Sequence, residues 1–325
     1  MRILLVKMSS MGDLVHNMPM IADIRQRFPD AVIDWVAEQS FVEIARMNSD
    51  VARVIPINMR RWKRNLGQRQ TWREIAAFRR ELKSVRYDAV LDTQGLLKSA
   101  LVCRWARGPS YGRDWRTAHE AGVGWLYTHS YSIPYTQHAI TRCRKLAAYA
   151  LGYEVPDTPP RYDLKLPPAQ LPFTPATPYA MALHGTSRAA KLWPVASWIA
   201  LCRELAHTHP VIFLPWGSED ERLRAEEIAA AVPACQVLPR LSLTQLAHLL
   251  QGAGMVIGLD TGLMHLAVGL GVPTLAIFCD SEIWQVGPYP PAGAHALAIG
   301  GMGVVPAPEE AIGAVAQLMK LVAGS

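Results

Sequence analysis

The sequence predicts an α/β protein made of two doubly wound domains that face a central cleft. Short apolar runs alternate with segments of helical periodicity, this alternation occurs twice along the 325 residues, and a proline-rich segment separates the two halves. Strands that are apolar throughout and separated by helices are typical of parallel sheets covered on both faces. The ligands of such sheets bind at the carboxyl ends of the strands.

In the first half, the predicted strands are residues 2–8, 32–38, 53–57 and 87–92, and the predicted helices are residues 14–28, 72–85 and 95–107. In the second half, the predicted strands are residues 179–184, 211–216, 255–260 and 274–278, and the predicted helices are residues 194–206, 219–231, 242–251 and 262–270. Residues 164–178 contain five prolines and no helical period, which indicates an extended linker. We therefore place the domains at residues 1–165 and 166–325.

The composition is that of a globular protein, with 50% hydrophobic and 18% charged residues. No run approaches the roughly 20 apolar residues that cross a bilayer, and the apolar run at residues 2–8 is shorter than is typical of a signal peptide, so we expect a cytoplasmic protein. The five cysteines are scattered and form no C-x-x-C pair. This pattern predicts reduced, buried thiols and no metal site.

The two halves differ in charge. Residues 1–165 hold 26 Lys and Arg against 16 Asp and Glu, whereas residues 166–325 hold 7 against 11. A basic half indicates a large anionic partner, which could be nucleic acid, an anionic membrane or an acidic glycolipid. Arg60, Arg61, Lys63 and Arg64 form one basic stretch and residues 113–116 another, each near aromatic residues such as Trp62, Trp115 and Trp125. Cations interspersed with aromatic residues favour an amphiphilic, anionic partner at an interface. The alternative is a pair of solvated charged loops, and no nucleic-acid motif is present.

The first strand is followed by a loop of small and polar residues, residues 9–13, before the helix that begins near Leu14. One interpretation makes Asp13 the N-cap of that helix. The other places its carboxylate at the cleft, where it can accept a proton from an attacking hydroxyl group. The sequence is compatible with both.

The strand at residues 255–260 leads into Asp260, Thr261 and Gly262, with His265 one turn later. A hydroxyl group and free amides at a helix N-terminus favour an anion such as a diphosphate, and Gly262 allows close approach of the backbone. The alternative is a capped helix with a core histidine.

Two further loops follow strands of the second half. Thr186, Ser187 and Lys191 offer hydroxyl groups and a cation to a phosphate, although polar surface loops of this composition are common. Glu221 lies in the acidic start of the helix at residues 219–231, where it either interacts with the helix dipole or holds ribose hydroxyl groups. The dinucleotide-binding, P-loop, zinc-protease and nucleophile-elbow motifs are absent from the sequence.

Six segments carry a resemblance to a known family. They are residues 7–19 (KMSSMGDLVHNMP), 60–62 (RRW), 92–99 (DTQGLLKS), 191–194 (KLWP), 214–217 (LPWG) and 260–265 (DTGLMH). The chain resembles, nearly end to end, the ADP-heptose:lipopolysaccharide heptosyltransferases, and type I members more than type II. These are GT-B enzymes with two Rossmann-like domains.

The resemblance implies that the first domain binds the acceptor and the second binds ADP-heptose. It implies that Asp13 is the general base, and that the donor contacts Thr186, Ser187, Lys191, Glu221, Asp260, Thr261, Gly262 and His265. The acceptor residues it implies are Ser10, Arg60, Arg61, Lys63, Arg64, Gln94, Lys98 and His119. His119 and Ser187 stand where the family usually has Arg and Thr.

The expected reaction is therefore an inverting transfer of L-glycero-D-manno-heptose from ADP-heptose to the first Kdo of Kdo2-lipid A, with neither a metal ion nor another cofactor. We expect a monomer that binds the anionic cytoplasmic face of the inner membrane and does not bind nucleic acid. Three alternatives are a type II heptosyltransferase, a nucleotide-sugar epimerase and a non-catalytic nucleotide-binding protein.

Overall fold

The computed structural model describes residues 1–324, which form two compact units that divide between Thr158 and Pro159. Each unit contains one parallel sheet flanked by helices. The doubly wound α/β architecture predicted for both halves is thereby confirmed.

The first unit contains a six-stranded sheet in the order β3-β2-β1-β4-β5-β6. Its strands are β1 (Arg2–Val6), β2 (Val32–Glu38), β3 (Val51–Ile57), β4 (Ala89–Asp92), β5 (Ser110–Arg113) and β6 (His129–Tyr131). Its helices are α1 (Met11–Arg27), α2 (Val42–Arg46), α3 (Met59–Arg64), α4 (Arg69–Lys83), α5 (Leu97–Trp105) and α6 (Ala139–Leu151). Short 3-10 turns occupy Gln39–Phe41 and Val123–Leu126.

The second unit repeats this plan, with the sheet order β12-β11-β10-β7-β8-β9. Its strands are β7 (Tyr179–Leu183), β8 (Val211–Leu214), β9 (Cys235–Val237), β10 (Met255–Leu259), β11 (Thr274–Phe278) and β12 (Ala296–Gly300). Its helices are α7 (Val195–Leu205), α8 (Glu219–Ala231), α9 (Leu243–Gly252), α10 (Gly262–Gly269), α11 (Ile283–Val286) and α12 (Pro308–Ala323). A 3-10 turn occupies Ala189–Lys191.

The central strands are buried on both faces, which explains their nearly continuous apolar sequences. All five residues of β7, β10 and β11 are buried, as are four of the five in β1. Parallel sheets require this pattern because helices cover both faces. The five cysteines are also buried and form no disulfide, as their spacing predicts.

The proline-rich segment contains neither helix nor strand over residues 165–178. It lies in the second unit, where its backbone contacts α9. The Pro167 carbonyl oxygen is 2.8 Å from His248 Nε2, and the Gln170 carbonyl oxygen accepts a hydrogen bond of 2.8 Å from Gln245 Nε2. Within residues 1–324, no helix combines the length and the hydropathy needed to cross a membrane.

The strand order places one topological switch point in each unit. In the first sheet the chain winds outward in opposite directions from β1 and β4, and in the second sheet from β7 and β10. Ligands of open α/β sheets bind at the carboxyl ends of the strands at such points. The segments after β1 and β4 contain Asp13 and Gln94, and those after β7 and β10 contain Thr186 and Asp260. The predicted site residues therefore follow the four switch-point strands.

Candidate active site

Asp13 lies in the first turn of α1, at the carboxyl end of β1. The helix begins at Met11 and Ser10 is its N-cap, so Asp13 is the third helical residue. The interpretation of Asp13 as the N-cap is therefore wrong. The Ser10 backbone N–H donates a hydrogen bond of 2.8 Å to Asp13 Oδ2, and the Ser10 hydroxyl group donates one of 3.0 Å to the same oxygen. These bonds fix the orientation of the carboxylate.

The second carboxylate oxygen of Asp13 faces a lysine. Asp13 Oδ1 is 3.4 Å from Lys7 Nζ, and the Asp13 side chain is 40% exposed whereas that of Lys7 is 11% exposed. Burial favours the protonated carboxyl group, but the Lys7 charge, the Ser10 backbone N–H and the charge of His16 outweigh it. Together they lower the pKa of Asp13 to about 2. Asp13 is thus ionised at neutral pH, as a proton acceptor must be.

A cavity of about 330 Å³ opens beside Asp13 within the first unit. Four of the predicted acceptor residues line it together with Asp13, namely Ser10, Gln94, Lys98 and His119. Lys7 also lines it, although no role was predicted for this residue beyond its place in the motif at residues 7–19. The volume is at the lower end of the range for small-molecule sites. The structure therefore brings the predicted base and half of the predicted acceptor residues together.

Gln94 also stabilises the loop that precedes Asp13. Its side-chain oxygen accepts a hydrogen bond of 2.9 Å from the Met8 backbone N–H, and the residue is buried. Asp92 Oδ1 in turn accepts hydrogen bonds from the backbone N–H groups of Gln94 and Gly95, at 2.9 and 3.0 Å. The loops after β1 and β4 are therefore linked, and Gln94 belongs to the structural support of the site as well as to its surface.

The remaining predicted acceptor residues lie on α3. Arg60, Arg61, Lys63 and Arg64 are exposed and do not line the cavity around Asp13. Arg61 forms an ion pair with Glu74. Burial lowers the pKa of Lys98, and the charges of Lys63 and Arg60 lower it further, whereas Glu38 raises it. The α3 cations therefore act electrostatically on a lysine of the cavity.

The aromatic residues near these cations differ in exposure. Trp62 is buried against Phe78 and donates a hydrogen bond to Glu74, so its predicted place at an interface is wrong. Its neighbours in α3 are solvated, but Trp62 anchors the helix to the core. Trp115 and Trp125 are 51% and 79% exposed, as the interface interpretation requires.

The second basic stretch is also divided. Arg113 is not in a solvated loop, because it is the last residue of β5 and is 7% exposed. Arg116 is exposed, and its guanidinium group lies over the Trp115 ring. Arg113 and Arg142 line the cavity around Asp13. Neither arginine was predicted as a site residue, since the sequence pattern did not predict β5 or α6.

In the second unit, Lys191 and Asp260 form an ion pair. Asp260 also accepts a hydrogen bond of 2.7 Å from the Ser281 hydroxyl group, and its Oδ1 is 3.2 Å from His265 Nε2. Burial raises the pKa of Asp260, but hydrogen bonds from His265, Lys191 and Ser281 hold it below its usual value. Asp260 is therefore an anion that orients Lys191 and His265.

Thr261 and Gly262 occupy the positions expected for an anion site. Thr261 is the N-cap of α10, and its hydroxyl group makes no capping hydrogen bond. Gly262 is the first residue of the helix. The hydroxyl group and the first amides of α10 are thus available to a negatively charged ligand.

Glu221 is a capping residue of α8. Its Oε2 accepts hydrogen bonds from the backbone N–H groups of Gly217 and Ser218, at 2.7 and 3.2 Å. A Cβ atom at Gly185 would lie 2.6 Å from the Glu221 carboxylate, so only glycine allows this approach. Thr186 and Ser187, which are partly or fully exposed, follow Gly185 directly. The loops after β7 and β8 therefore meet at Glu221.

Among residues 1–324, no group of three or more His, Cys, Asp and Glu side chains is arranged to hold a metal ion. In the second unit, the ammonium group of Lys191, the Thr261 hydroxyl group and the first amides of α10 are hydrogen-bond donors from which a diphosphate can accept.

Residues 75–300 match the family model described as glycosyltransferase family 9 (heptosyltransferase). The chain is 41% identical to lipopolysaccharide heptosyltransferase 1 of Pseudomonas aeruginosa over 91% of its own length and 83% of the relative. The structure of E. coli heptosyltransferase WaaC with ADP is similar to 98% of this chain and 100% of its own, with 36% identity and a TM-score of 0.88. The WaaC structure with ADP-2-deoxy-2-fluoro heptose gives a TM-score of 0.83 at the same identity, over 98% and 99% of the two chains.

The paired parallel sheets, with polar loops at both switch points, are those of a GT-B glycosyltransferase. The chain belongs to glycosyltransferase family 9, the heptosyltransferase family.

Proposed function

We propose that this enzyme transfers L-glycero-D-manno-heptose from ADP-heptose to the first Kdo of Kdo2-lipid A, with inversion at the anomeric carbon. The observation that carries the proposal is the ionised Asp13 carboxylate. One of its oxygens is held by Ser10, and the other faces a basic cavity of the size of a small ligand. The chain is 41% identical to a lipopolysaccharide heptosyltransferase 1 over 91% of its length, which supports the proposed class of acceptor.

The donor binds to the second unit in this proposal. Lys191, the Thr261 hydroxyl group and the amide of Gly262 receive the diphosphate, assisted by Thr186 and Ser187. Asp260 does not contact the phosphates, since two anions repel each other, and instead holds Lys191 and His265 in place. Glu221 Oε2 is engaged in capping, which leaves Oε1 for a ribose hydroxyl group. The related enzyme has been solved with ADP and with a fluorinated ADP-heptose.

In the reaction, Asp13 Oδ1 accepts the proton of a Kdo hydroxyl group as its oxygen attacks the anomeric carbon of the heptose. The bond from that carbon to the ADP oxygen breaks at the same time, and the electron pair leaves with ADP. Lys191 and the α10 amides stabilise the charge that develops on the diphosphate. We propose that these groups take the place of a metal ion at the leaving diphosphate.

The acceptor is embedded in a membrane, and we propose that the enzyme works as a peripheral protein at the cytoplasmic face of the inner membrane. The exposed rings of Trp115 and Trp125 and the cations of α3 support this proposal. Tryptophan is enriched at membrane interfaces, and basic residues are attracted to anionic lipids.

The decisive experiment incubates the purified protein with ADP-heptose and Kdo2-lipid A and measures both ADP release and the mass of the glycolipid. We expect one heptose to be added, also in the presence of excess chelator. Transfer only to an acceptor that already carries a heptose would identify a type II enzyme. Turnover of ADP-heptose without any sugar transfer would contradict the proposal and favour an epimerase or a hydrolase.

A further inference from the structure

Arg113 is a buried cation whose charge is not matched by an anion of the protein. It ends β5, it is 7% exposed, and within the described part of the chain it forms neither an ion pair nor a hydrogen bond. Its Nη1 atom is shielded from solvent and has no partner. Nη2 packs against Gly95, where a Cβ atom would approach it to 3.0 Å. Burying an unpaired charge is costly, so such a group indicates a ligand.

Arg142 extends the same cationic surface from α6. Its guanidinium carbon is 4.1 Å from the centre of the Tyr135 ring, and that of Arg113 is 5.7 Å from the same ring. Arg142 Nη1 donates a hydrogen bond of 3.3 Å to the Tyr135 carbonyl oxygen. The His119 ring stacks on Tyr135 at 6.1 Å. Tyr135 therefore positions two guanidinium groups, which we call the arginine pair.

In the absence of a ligand, the positive charges of Arg113 and Arg142 repel each other. Burial lowers the pKa of Arg113, and the charge of Arg142 lowers it further. Asp92, the carboxylate whose charge acts on Arg113, already accepts hydrogen bonds from the backbone N–H groups of Gln94 and Gly95 and from the Tyr127 hydroxyl group, the last at 2.8 Å. A bound anion would offset both the repulsion and the loss of hydration.

The position of the arginine pair identifies the ligand. Arg113 and Arg142 line the cavity that contains Asp13, so the anion they bind lies in the same cavity as the group that accepts the proton. Lys7, which also lines this cavity, is neutralised by Asp13 itself. A guanidinium fork matches both carboxylates and phosphates, but beside the ionised Asp13 a singly charged carboxylate is repelled less than a doubly charged phosphate.

We propose that Arg113 and Arg142 bind the carboxylate of the acceptor sugar acid and thereby select the hydroxyl group that meets Asp13. This inference rests on the proposed function, since it takes Kdo as the acceptor sugar. A carboxylate held by two fixed guanidinium groups restricts the sugar ring in position and rotation. Regioselectivity then follows from the distance between the carboxylate and the attacked hydroxyl group.

The test compares Kdo2-lipid A with the same glycolipid carrying methyl esters on its Kdo carboxyl groups. In the wild-type enzyme, we expect the ester to lower kcat/KM about 10- to 100-fold, the range for losing hydrogen bonds to a charged group. Arg142→Gln should show a similar loss with the natural acceptor and little further loss with the ester. Arg142→Lys keeps the charge but not the fork, and should recover only part of the activity.

Arg116→Gln is the matched control, since Arg116 lies near Arg113 in sequence but is exposed. It should respond to esterification as the wild type does. If the wild type accepts both glycolipids equally, or if Arg142→Gln keeps the full preference for the free carboxylate, the inference is wrong. A higher KM for ADP-heptose in Arg142→Gln, with acceptor kinetics unchanged, would assign the arginine pair to the donor and also overturn it. Absence of transfer to either glycolipid by the wild type would instead overturn the proposed function.

Discussion

Lys7 Nζ lies 3.4 Å from Asp13 Oδ1, while Ser10 occupies Oδ2 of the same carboxylate. The two oxygens of Asp13 thus have different roles. Oδ2 accepts the hydrogen bonds that orient the carboxylate, and Oδ1 faces Lys7 and the space in which we propose that the acceptor binds. The proton of the attacking hydroxyl group should therefore arrive at Oδ1.

Replacing Asp13 by Asn keeps the shape and the capping position but removes the base. We expect turnover to fall at least about 100-fold with little change in donor affinity, as is typical for the loss of a general base. Steady-state kinetics and calorimetric titration with ADP measure the two effects. Asp30→Asn, at an exposed position of the same unit, is the control. Near-normal turnover of a folded Asp13→Asn enzyme would show that Asp13 is not the general base.

Replacing Lys7 by Met removes the leading cause that lowers the pKa of Asp13 to about 2. The pKa of Asp13 then rises, so a fraction of the variant becomes protonated at a pH where the wild type is still ionised. We expect the ratio of kcat/KM, variant to wild type, to fall as the pH is lowered from 7 to 4. The ratio cancels the ionisation of the substrates. A ratio independent of pH, as we expect for the exposed control Lys83→Met, would contradict this account.

Replacing Lys191 by Ala should weaken ADP binding about 10-fold or more, because a charged hydrogen bond to the diphosphate is lost. Calorimetry in excess chelator measures the dissociation constant without competing metal ions. Lys320→Ala removes an exposed lysine of the same unit and should leave ADP binding unchanged. Equal ADP affinity in all three proteins would place the diphosphate elsewhere.

The cations of α3 should attract the polyanionic acceptor without contacting the donor. We expect Arg60, Lys63 and Arg64 changed together to Ser to raise the acceptor KM, most strongly at low salt, and to leave the ADP-heptose KM nearly unchanged. Each basic residue near an anionic surface contributes about 1 kcal/mol, and salt screens this attraction. Arg73, Arg80 and Lys83 on α4 provide a control with the same loss of charge. If both triple variants raise the acceptor KM equally, the cations of α3 act only through the net charge of the protein and not through their position.

The Asp260 network should make the stability depend on pH. The folded-state pKa of Asp260 is lowered, so its contribution to stability is complete above the unfolded-state pKa of about 3.9 and is lost as the pH falls below it. We expect Asp260→Asn to be less stable than the wild type at pH 6, and the difference in the free energy of unfolding to narrow by about 1 kcal/mol between pH 6 and pH 3. Urea unfolding from pH 6 to pH 3 measures this, with the exposed Asp220→Asn as control. A constant difference would mean that Asp260 has no lowered pKa.

The sequence predicted the central elements of both sheets because their strands are buried on both faces and therefore apolar throughout. It missed β5, β6, β9 and β12, which are short or lie at the edge of a sheet, and the short helices α2, α3 and α11. It also missed the last helix, α12, and α6, where Arg142 and the buried Arg144 interrupt the apolar pattern. Arg144 is buried because it pairs with Asp23 at 2.6 Å, a contact across 121 residues that no local pattern reveals.

The sequence placed the candidate site residues correctly in the fold where they follow a strand directly, as Asp13, Gln94, Thr186 and Asp260 do. Topology brings the ends of adjacent parallel strands together, so position along the chain was sufficient. Only the structure reveals the ion pair between Lys191 and Asp260 and the close approach of the Glu221 carboxylate to Gly185. The arginine pair was missed for the same reason, since Arg113 and Arg142 meet only through Tyr135.

The Asp92 carboxylate accepts hydrogen bonds from the backbone N–H groups of Gln94 and Gly95 and from the Tyr127 hydroxyl group. The Gln94 side-chain oxygen in turn accepts one from the Met8 backbone N–H. Every one of these bonds is internal to the protein. The wall of the cavity beside Asp13 thus takes its shape when the chain folds and loses little conformational freedom when the acceptor arrives. Because the cavity is formed before the acceptor binds, it selects acceptors by their shape. Acceptors with altered stereochemistry should therefore bind more weakly, and the discrimination should occur at the binding step rather than in the transfer of the sugar.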